Sequence, residues 1–329
     1  MASTIFVTGA TGQTGGNVCE QLIERGDHVR ALVRNPDEAA ALAGIGVELV
    51  KGDIRDADDV LQAAKGADAA IHCAALLGGA SQDLADFKAV NMVGTTNVLD
   101  AAKAHGMRRV VALSTATFLD LSTGVDFEDA PVLENPPDDP YTVTKLAAFL
   151  DAHRRAAAGD NVLTCHPGAI FGPGLVVERA LHRTSFNRVL LAGMRGKIKR
   201  YLAFPVTWVA GADVAKGSIA ALDNGVAGER YLLIGRPEDT FSTAGGINRA
   251  CVIAGIDHRV EDLDYRTDPE ALTAEFGPTL MAIAEAAAKT KRKPRASDNL
   301  TTRRLGYRPM SFDDGLRLLI SWLRKLGKL

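Results

Sequence analysis

Two hydroxyl-bearing stretches and one lysine carry the chemistry this sequence can offer. Tyr141-Thr-Val-Thr-Lys145 sets a phenol and an ammonium four positions apart. On a helix, such positions share a face. A free phenol ionises near pH ~10, and a neighbouring ammonium favours the ionised form and draws it toward neutral pH. The pair therefore suits a general acid/base that moves a proton to or from a substrate oxygen. Earlier in the chain, Ser114-Thr115 follows the apolar run Arg109–Leu113. That run reads as a strand, so a hydroxyl pair stands at its C-terminal end, the edge where open α/β sheets bind ligands.

A third stretch suits phosphate. Ile5–Val7 is a short β-branched and aromatic run, and Gly9, Gly12 and Gly15 follow at the spacing G-x-x-G-x-x-G before the amphipathic segment Val18–Arg25. Glycines permit a tight turn and close backbone approach, and a helix N-terminus offers unspent N–H groups and partial positive charge. A dinucleotide pyrophosphate needs these features.

The elements that must position these groups follow in a regular order. Strand patterns at Val29–Val33, Val47–Val50, Ala69–Cys73, Arg109–Leu113 and Asn161–Cys165 alternate with helical patterns. The helical stretches are Pro36–Leu42, Asp56–Lys65 with Asp56 as N-cap, Leu84–His105 and Tyr141–Ala158. Repeated βα units predict a Rossmann-type, doubly wound parallel sheet covered on both faces. Asp126–Pro140 reads as an irregular surface loop. Beyond His166 the alternation weakens. Arg230–Ile234 reads as a strand, and Phe241–Ala254, Pro269–Ala288 and Phe312–Leu326 as helices. Residues 1–174 are expected to form a dinucleotide-binding domain carrying the Tyr/Lys helix. Residues 175–329 are expected to form a smaller, substrate-binding lobe, with some segments returning to the first domain.

Composition narrows the function classes. A chain of 329 residues with a formal net charge of -2 gives no electrostatic case for nucleic acid. The basic run Lys289–Arg295 reads as a solvated helix end. Cys19, Cys73, Cys165 and Cys251 form no C-x-x-C pair, and the seven histidines show no metal-ligand spacing. The cysteines read as core residues in a reducing compartment. No charged leader and no apolar run of membrane-spanning length is visible, so a cytoplasmic protein without a membrane partner is expected.

Taken together, the chain resembles an extended short-chain dehydrogenase/reductase, in the NAD-dependent epimerase/dehydratase group. The matching pieces are Thr8-Gly-Ala-Thr-Gly-Gln-Thr-Gly15, Gly52-Asp-Ile54, His72-Cys-Ala-Ala75, Asn91 in Val-Asn-Met-Val-Gly-Thr, Ser114-Thr115, the Tyr141/Lys145 pair and His166-Pro-Gly-Ala-Ile-Phe-Gly-Pro173. They stand in family order over residues 3 to 175, and Trp208–Ala215 resembles a later family segment. The resemblance implies Tyr141 as catalytic acid/base and Lys145 as its assistant and holder of the nicotinamide ribose. Thr115 would orient the substrate, with Ser114 the close alternative. Gly9, Gly12 and Gly15, with Thr11, Gln13 and Thr14 between them, would line the pyrophosphate. Asp53 and Ile54 would contact adenine, Ala74 and Ala75 would pass along the ribose side, and Pro167, Gly168 and Ile170 would be further cofactor contacts. Asn91 looks like the family's helix asparagine; packing against the neighbouring loop is its other reading. His166 departs from the arginine common before Pro-Gly, so no substrate-anchoring role is carried over to it.

Val33 ends the second strand where a carboxylate would hold an unphosphorylated ribose, and Arg34 follows it. A guanidinium there can grip a 2′-phosphate, so NADP is expected, with NAD as the alternative. Three functions compete. A carbonyl reductase or alcohol dehydrogenase is favoured, since Val29-Arg-Ala-Leu-Val-Arg-Asn-Pro36 resembles the dihydroflavonol reductase and 3β-hydroxysteroid dehydrogenase branch. A nucleotide-sugar epimerase or dehydratase and a non-catalytic redox sensor are the alternatives. Pocket walls are expected from Leu76–Ala80, Thr117–Leu121 and Phe171–Leu202, with Leu76, Leu77, Phe118 and Leu119 dominating the first two. Those walls suit a small, largely apolar carbonyl compound or alcohol. The third wall's arginines and lysines could grip a phosphorylated tail. The helices Leu84–His105 and Tyr141–Ala158 resemble a family dimer interface, so a homodimer is expected.

Overall fold

A computed structural model describes residues 2–79, 81, 83–120, 125–289 and 300–329. Most of the basic run, together with Ala80 and Leu121 of the expected walls, lies outside them.

The apolar runs of the first half become β1 (Thr4–Thr8), β2 (His28–Val33), β3 (Glu48–Lys51), β4 (Ala69–His72), β5 (Val110–Leu113) and β6 (Val162–Pro167). They alternate with α1 (Gln13–Glu24), α2 (Ala40–Gly44), α3 (Ala57–Ala63), α4 (Leu84–Phe87), α5 (Gly94–Ala104) and α6 (Pro140–Ala157). Runs of Val, Ile, Leu and Ala suit strands buried on both faces, and Ile5, Phe6, Val7 and Ile71 are fully buried. A 3-10 turn at Asp37–Ala39 precedes α2. Asp56 caps α3 by accepting from the N–H groups of Asp58 and Asp59, which satisfies two donors of the first turn. Within the expected helix at 84–105, residues Lys88–Val93 form a π-helical stretch between α4 and α5.

The second half adds β7 (Ala169–Phe171), α7 (Val177–Ala180), α8 (Phe186–Met194), β8 (Arg200–Leu202), β9 (Val206–Ala210), α9 (Gly211–Asn224), β10 (Arg230–Leu233), β11 (Thr240–Phe241), α10 (Thr243–Ala254) and β12 (Glu261–Leu263). It closes with α11 (Pro269–Phe276), α12 (Pro278–Lys289), α13 (Leu300–Leu305) and α14 (Phe312–Lys325). The single helix expected over Pro269–Ala288 is broken. Gly277 stands at φ +84° and Pro278 lacks an N–H to continue the ladder.

The seven-stranded sheet runs β10-β6-β5-β4-β1-β2-β3, all parallel. The order reverses between β1 and β4, so a crevice opens at their C-terminal ends. The late strand β10 extends this sheet beside β6, and α9 packs against α1. A second core gathers Phe171, Leu190, Met194, Trp208, Ile247 and the buried face of α14. It supports the small sheets β11-β9-β7 and β12-β8. Among the described residues no helix is long and apolar enough to cross a membrane.

Candidate active site

The crevice begins where β1 ends. Gly9 turns the chain at φ +68°, where a Cβ would meet Ala74 N at 2.5 Å. Its carbonyl accepts from Gly12 N at 2.9 Å. A Cβ at Gly15 would run into Gly9 O, so the first and third glycines are demanded by packing. Gly12 caps α1 without a side-chain hydrogen bond, and no acidic residue stands in the first turn. The N–H groups of Gln13, Thr14 and Gly15 have no backbone partner among the described residues. This open, glycine-walled helix start fits a pyrophosphate. Thr11 and Thr14 border it, part-exposed. The Gln13 side chain turns aside and donates to Gly172 O at 2.9 Å.

The adenine side is braced by protein contacts. Asp53 receives both arms of Arg55, at 3.0 and 2.6 Å. Those bonds hold its carboxyl below the usual range, against some burial. Ile54 O accepts from Asn97 at 2.9 Å, and a Cβ at Gly94 would touch the Ile54 side chain at 3.0 Å. Arg34 is exposed and makes no hydrogen bond or ion pair among the described residues.

A buried polar chain links the glycine turn to the Tyr/Lys helix. Thr8 Oγ1 meets His72 Nδ1 at 2.7 Å, and His72 Nε2 meets Thr95 Oγ1 at 2.9 Å. Thr95 donates to Asn91 O at 2.7 Å. The Asn91 amide accepts from Leu76 N at 2.7 Å and donates to Leu76 O and Thr144 Oγ1, both at 3.1 Å. Asn91 therefore spends its side chain on the Ala74–Ala75–Leu76 loop and on α6. The π-helical stretch aims it there; such insertions recur at functional sites. Burial and the nearby positive charge of Lys145 push His72 down to about 3. His72 stands inside one of the matching motifs, and sequence reasoning misses its linking role. A histidine closing an apolar strand was the available signal.

Lys145 is buried, and its Nζ donates to Leu113 O at 2.6 Å. Burial lowers its pKa to about 8. Tyr141 is half-buried one turn earlier. Burial raises its phenol and the nearby Thr115 hydroxyl pulls it back. The downward shift expected from Lys145 is thus corrected: the ammonium points at a backbone carbonyl, and desolvation decides the direction. The Thr115 hydroxyl lies on the phenol's side of the site and accepts from Thr117 N at 3.4 Å. Among the described residues Ser114 Oγ is buried without a hydrogen-bond partner, and it lines a small cavity with His72, Thr95, Lys145 and Thr164. His166 Nδ1 meets Thr115 O at 2.7 Å, and its Nε2 meets Thr164 Oγ1 at 3.0 Å. Fully buried among Phe118, Phe127 and Phe149, it fixes the backbone behind Thr115. Sequence reasoning missed this role.

Pro167 and Ile170 stay part-exposed. Gly168 donates to Leu233 O at 3.1 Å, and a Cβ there would run into Thr207 O. The expected walls need correction. Phe118 and Leu119 are buried in a cluster with Phe127 and Phe149, so they back the site. Leu77 is 46% exposed and does face outward. A Cβ at Gly78 would lie 4.0 Å from Tyr141 Cβ, and one at Gly79 would lie 3.7 Å from Thr184, so this loop adjoins both residues. Arg195 is spent on Lys328 O and Arg200 on Glu275, which reduces the third wall's claim on a phosphate, while Arg179 pairs with Glu38 at the surface.

Comparisons with known proteins agree with this geometry. The model of the NAD dependent epimerase/dehydratase family matches residues 5–234. Sterol demethylase protein B of Methylococcus capsulatus is 32% identical over 233 residues, which cover 70% of each chain. The 2-alkyl-3-oxoalkanoate reductase of Stenotrophomonas maltophilia is 34% identical over 57% of this chain and 58% of its own. The crystal structure of gox2253 superposes with a TM-score of 0.84 at 28% identity, covering 99% of both chains. The chain belongs to the NAD-dependent epimerase/dehydratase family, among the extended short-chain dehydrogenases/reductases, NAD(P)-dependent enzymes that act on CH–OH and C=O groups.

Proposed function

We propose that this enzyme is an NADP-dependent oxidoreductase that interconverts a carbonyl and a secondary alcohol on a small, largely apolar molecule, with Tyr141 as acid/base. The observation that carries the reading is the gathering of Thr115, the Tyr141 phenol and buried Lys145 at the end of β5, where Lys145 Nζ donates to Leu113 O at 2.6 Å. The names of the two curated relatives, one a sterol protein and one an oxoalkanoate reductase, favour an apolar carbonyl substrate.

The turn from Gly9 to Gly15 would hold the pyrophosphate, and Lys145 the nicotinamide ribose. The nicotinamide, when bound, supplies or accepts the hydride. In reduction, Tyr141 gives its phenolic proton to the substrate oxygen while Thr115 orients that oxygen. A phenol held above its usual pKa is protonated at neutral pH, the form that can donate. The phenolate left behind is stabilised by the Lys145 ammonium, which must exchange its bond to Leu113 O. Arg34 is the residue that favours NADP. The two carboxylates near it are each held by another arginine, Asp53 by Arg55 and Glu38 by Arg179.

The test is purified enzyme with NADPH and a panel of aromatic and alicyclic ketones, with UDP-glucose as competitor. Ketone-dependent NADPH oxidation is expected. Saturable UDP-glucose binding without net NADPH oxidation, and no ketone turnover, would instead establish a sugar epimerase.

We also propose a homodimer. Leu84 and Val93 on the 84–104 helix and Val143 and Leu150 on α6 are exposed, at 38–51%. That is more apolar surface than one packed side requires. A monomeric mass by light scattering at micromolar concentration would refute it. The four free thiols favour a reducing, cytoplasmic location, which fractionation of the source cells would check.

A further inference from the structure

We propose that Arg179, carried by the second lobe, is a second ligand for the 2′-phosphate of the cofactor, and that Glu38 competes with that phosphate for it. The inference rests on the NADP reading and extends it from Arg34 to a residue far away in the chain.

The geometry brings both arginines to one place. Residues 172–175 lie across the glycine turn. Gln13 donates to Gly172 O at 2.9 Å, Asn17 to Pro173 O at 3.2 Å, and the Leu175 Cβ would lie 3.5 Å from a Cβ on Gly16. This anchors the short helix α7, and Arg179 reaches from it to Glu38 at 3.0 Å. Glu38 belongs to the turn that follows Arg34. Its other oxygen accepts from Asn35 at 3.2 Å, and Asn35 Oδ1 accepts from Asp37 N at 3.2 Å. The Asn35 bond, Arg179 and, more weakly, Arg34 hold the Glu38 carboxyl below its usual range. One carboxylate thus sits in the field of two guanidinium groups.

Two guanidinium groups are available to an anion here. Arg34 makes no hydrogen bond or ion pair among the described residues and acts on both Glu38 and Asp53, while Arg179 holds Glu38. A phosphate dianion is a stronger, multidentate acceptor for arginine than a single carboxylate. The pair it would displace is open to water, with side chains 40% and 57% exposed, and such pairs are weak. Exchange of Glu38 for phosphate is therefore favourable, and it would tie the second lobe to the nucleotide.

Isothermal titration of the whole enzyme with NADPH, NADH, 2′,5′-ADP and 5′-AMP tests this without reading turnover. Arg179→Ala should weaken NADPH and 2′,5′-ADP about tenfold, the low end for bonds to charged groups, and leave NADH and 5′-AMP within about twofold. Glu38→Gln should tighten NADPH by about two- to fivefold by removing the competitor. Wild-type enzyme that binds NADH as tightly as NADPH would overturn the NADP reading itself. A wild-type NADPH preference fully retained in Arg179→Ala would overturn only the present inference and leave Arg34 in its role. Equal losses for NADPH and NADH would reduce Arg179 to a fold contact, and unchanged or weaker NADPH binding in Glu38→Gln would remove the competition.

Discussion

The two ends of the cofactor crevice solve opposite electrostatic problems. At the catalytic end, His72, His166 and Lys145 are all at most 4% exposed, and each ring nitrogen and the ammonium has a fixed partner. At the ribose end, Arg34 is exposed and the Arg179–Glu38 pair stands in water. A buried partner, once removed or charged, leaves a desolvated group with nowhere to turn. An exposed partner is replaced by water and counter-ions. Changes at the first end should be large and insensitive to salt, and those at the second modest and salt-dependent.

The largest expected effect is acid lability. Burial sets His72 and His166 at about 3 in the folded chain, against 6.5 in the unfolded one. Between those values the unfolded state binds more protons, so stability falls as pH drops below 6.5. By pH ~5 each histidine should cost about 2 kcal/mol. Denaturant midpoints at neutral pH and near pH ~5 measure this. Equal midpoints would show that the catalytic end is not sealed.

Tyr141→Phe comes next. Loss of the proton-transfer group should lower turnover by about two orders of magnitude or more, with cofactor affinity nearly intact, since the buried supports of α6 do not involve the phenol. Near-wild-type turnover would remove Tyr141 from the chemistry and dissolve the distinction between the two ends.

At the ribose end, Arg34→Ala should weaken NADPH by about 1.5–3 kcal/mol, the range for hydrogen bonds to charged groups, and NADH by much less. Titration at low and high salt should show the gap narrowing as screening increases. A gap that persists in high salt would mean the bound nucleotide shields this end from solvent.

The same contrast explains what could be read from sequence. The glycine turn was legible because Gly9 and Gly15 sit where any Cβ would collide with the backbone. The strands of the first half were legible as well, because a sheet buried on both faces leaves continuous apolar runs. The pairing of Tyr141 with Lys145 on α6 was legible from helical period alone. The polar chain from Thr8 through His72, Thr95 and Asn91 to Thr144 was not. Its members are scattered between residues 8 and 144 and meet only through the fold. The direction of the Tyr141 shift was unreadable for the same reason, since it turns on where Lys145 Nζ points. In the second half, Val206–Ala210 and Gly211–Asn224 went unread as strand and helix, because a Gly at the junction and short elements blur both periods. Phe118 and Leu119 were placed on the pocket wall because apolar residues near a site look alike whether they face it or back it.

The smallest expected effect is at Arg55, and it measures how far the ribose end behaves as a solvated surface. Arg55 is 51% exposed and grips Asp53, itself 26% exposed. Removing it leaves the Asp53 carboxyl closer to its ordinary value and still ionised at neutral pH. The ribose end then loses one positive charge. A 2′-phosphate would lose attraction from a charge that does not touch it. In Arg55→Ala, NADPH should therefore weaken by only about two- to fivefold at low salt. At molar salt, where the Debye length is about 3 Å, the effect should vanish. NADH, without the phosphate, should be affected only through adenine and stay within about twofold. A loss for NADPH as large as that of Arg34→Ala, surviving molar salt, would mean that Arg55 leaves Asp53 and binds the phosphate directly. The two ends would then differ in exposure but not in how tightly their charges are engaged.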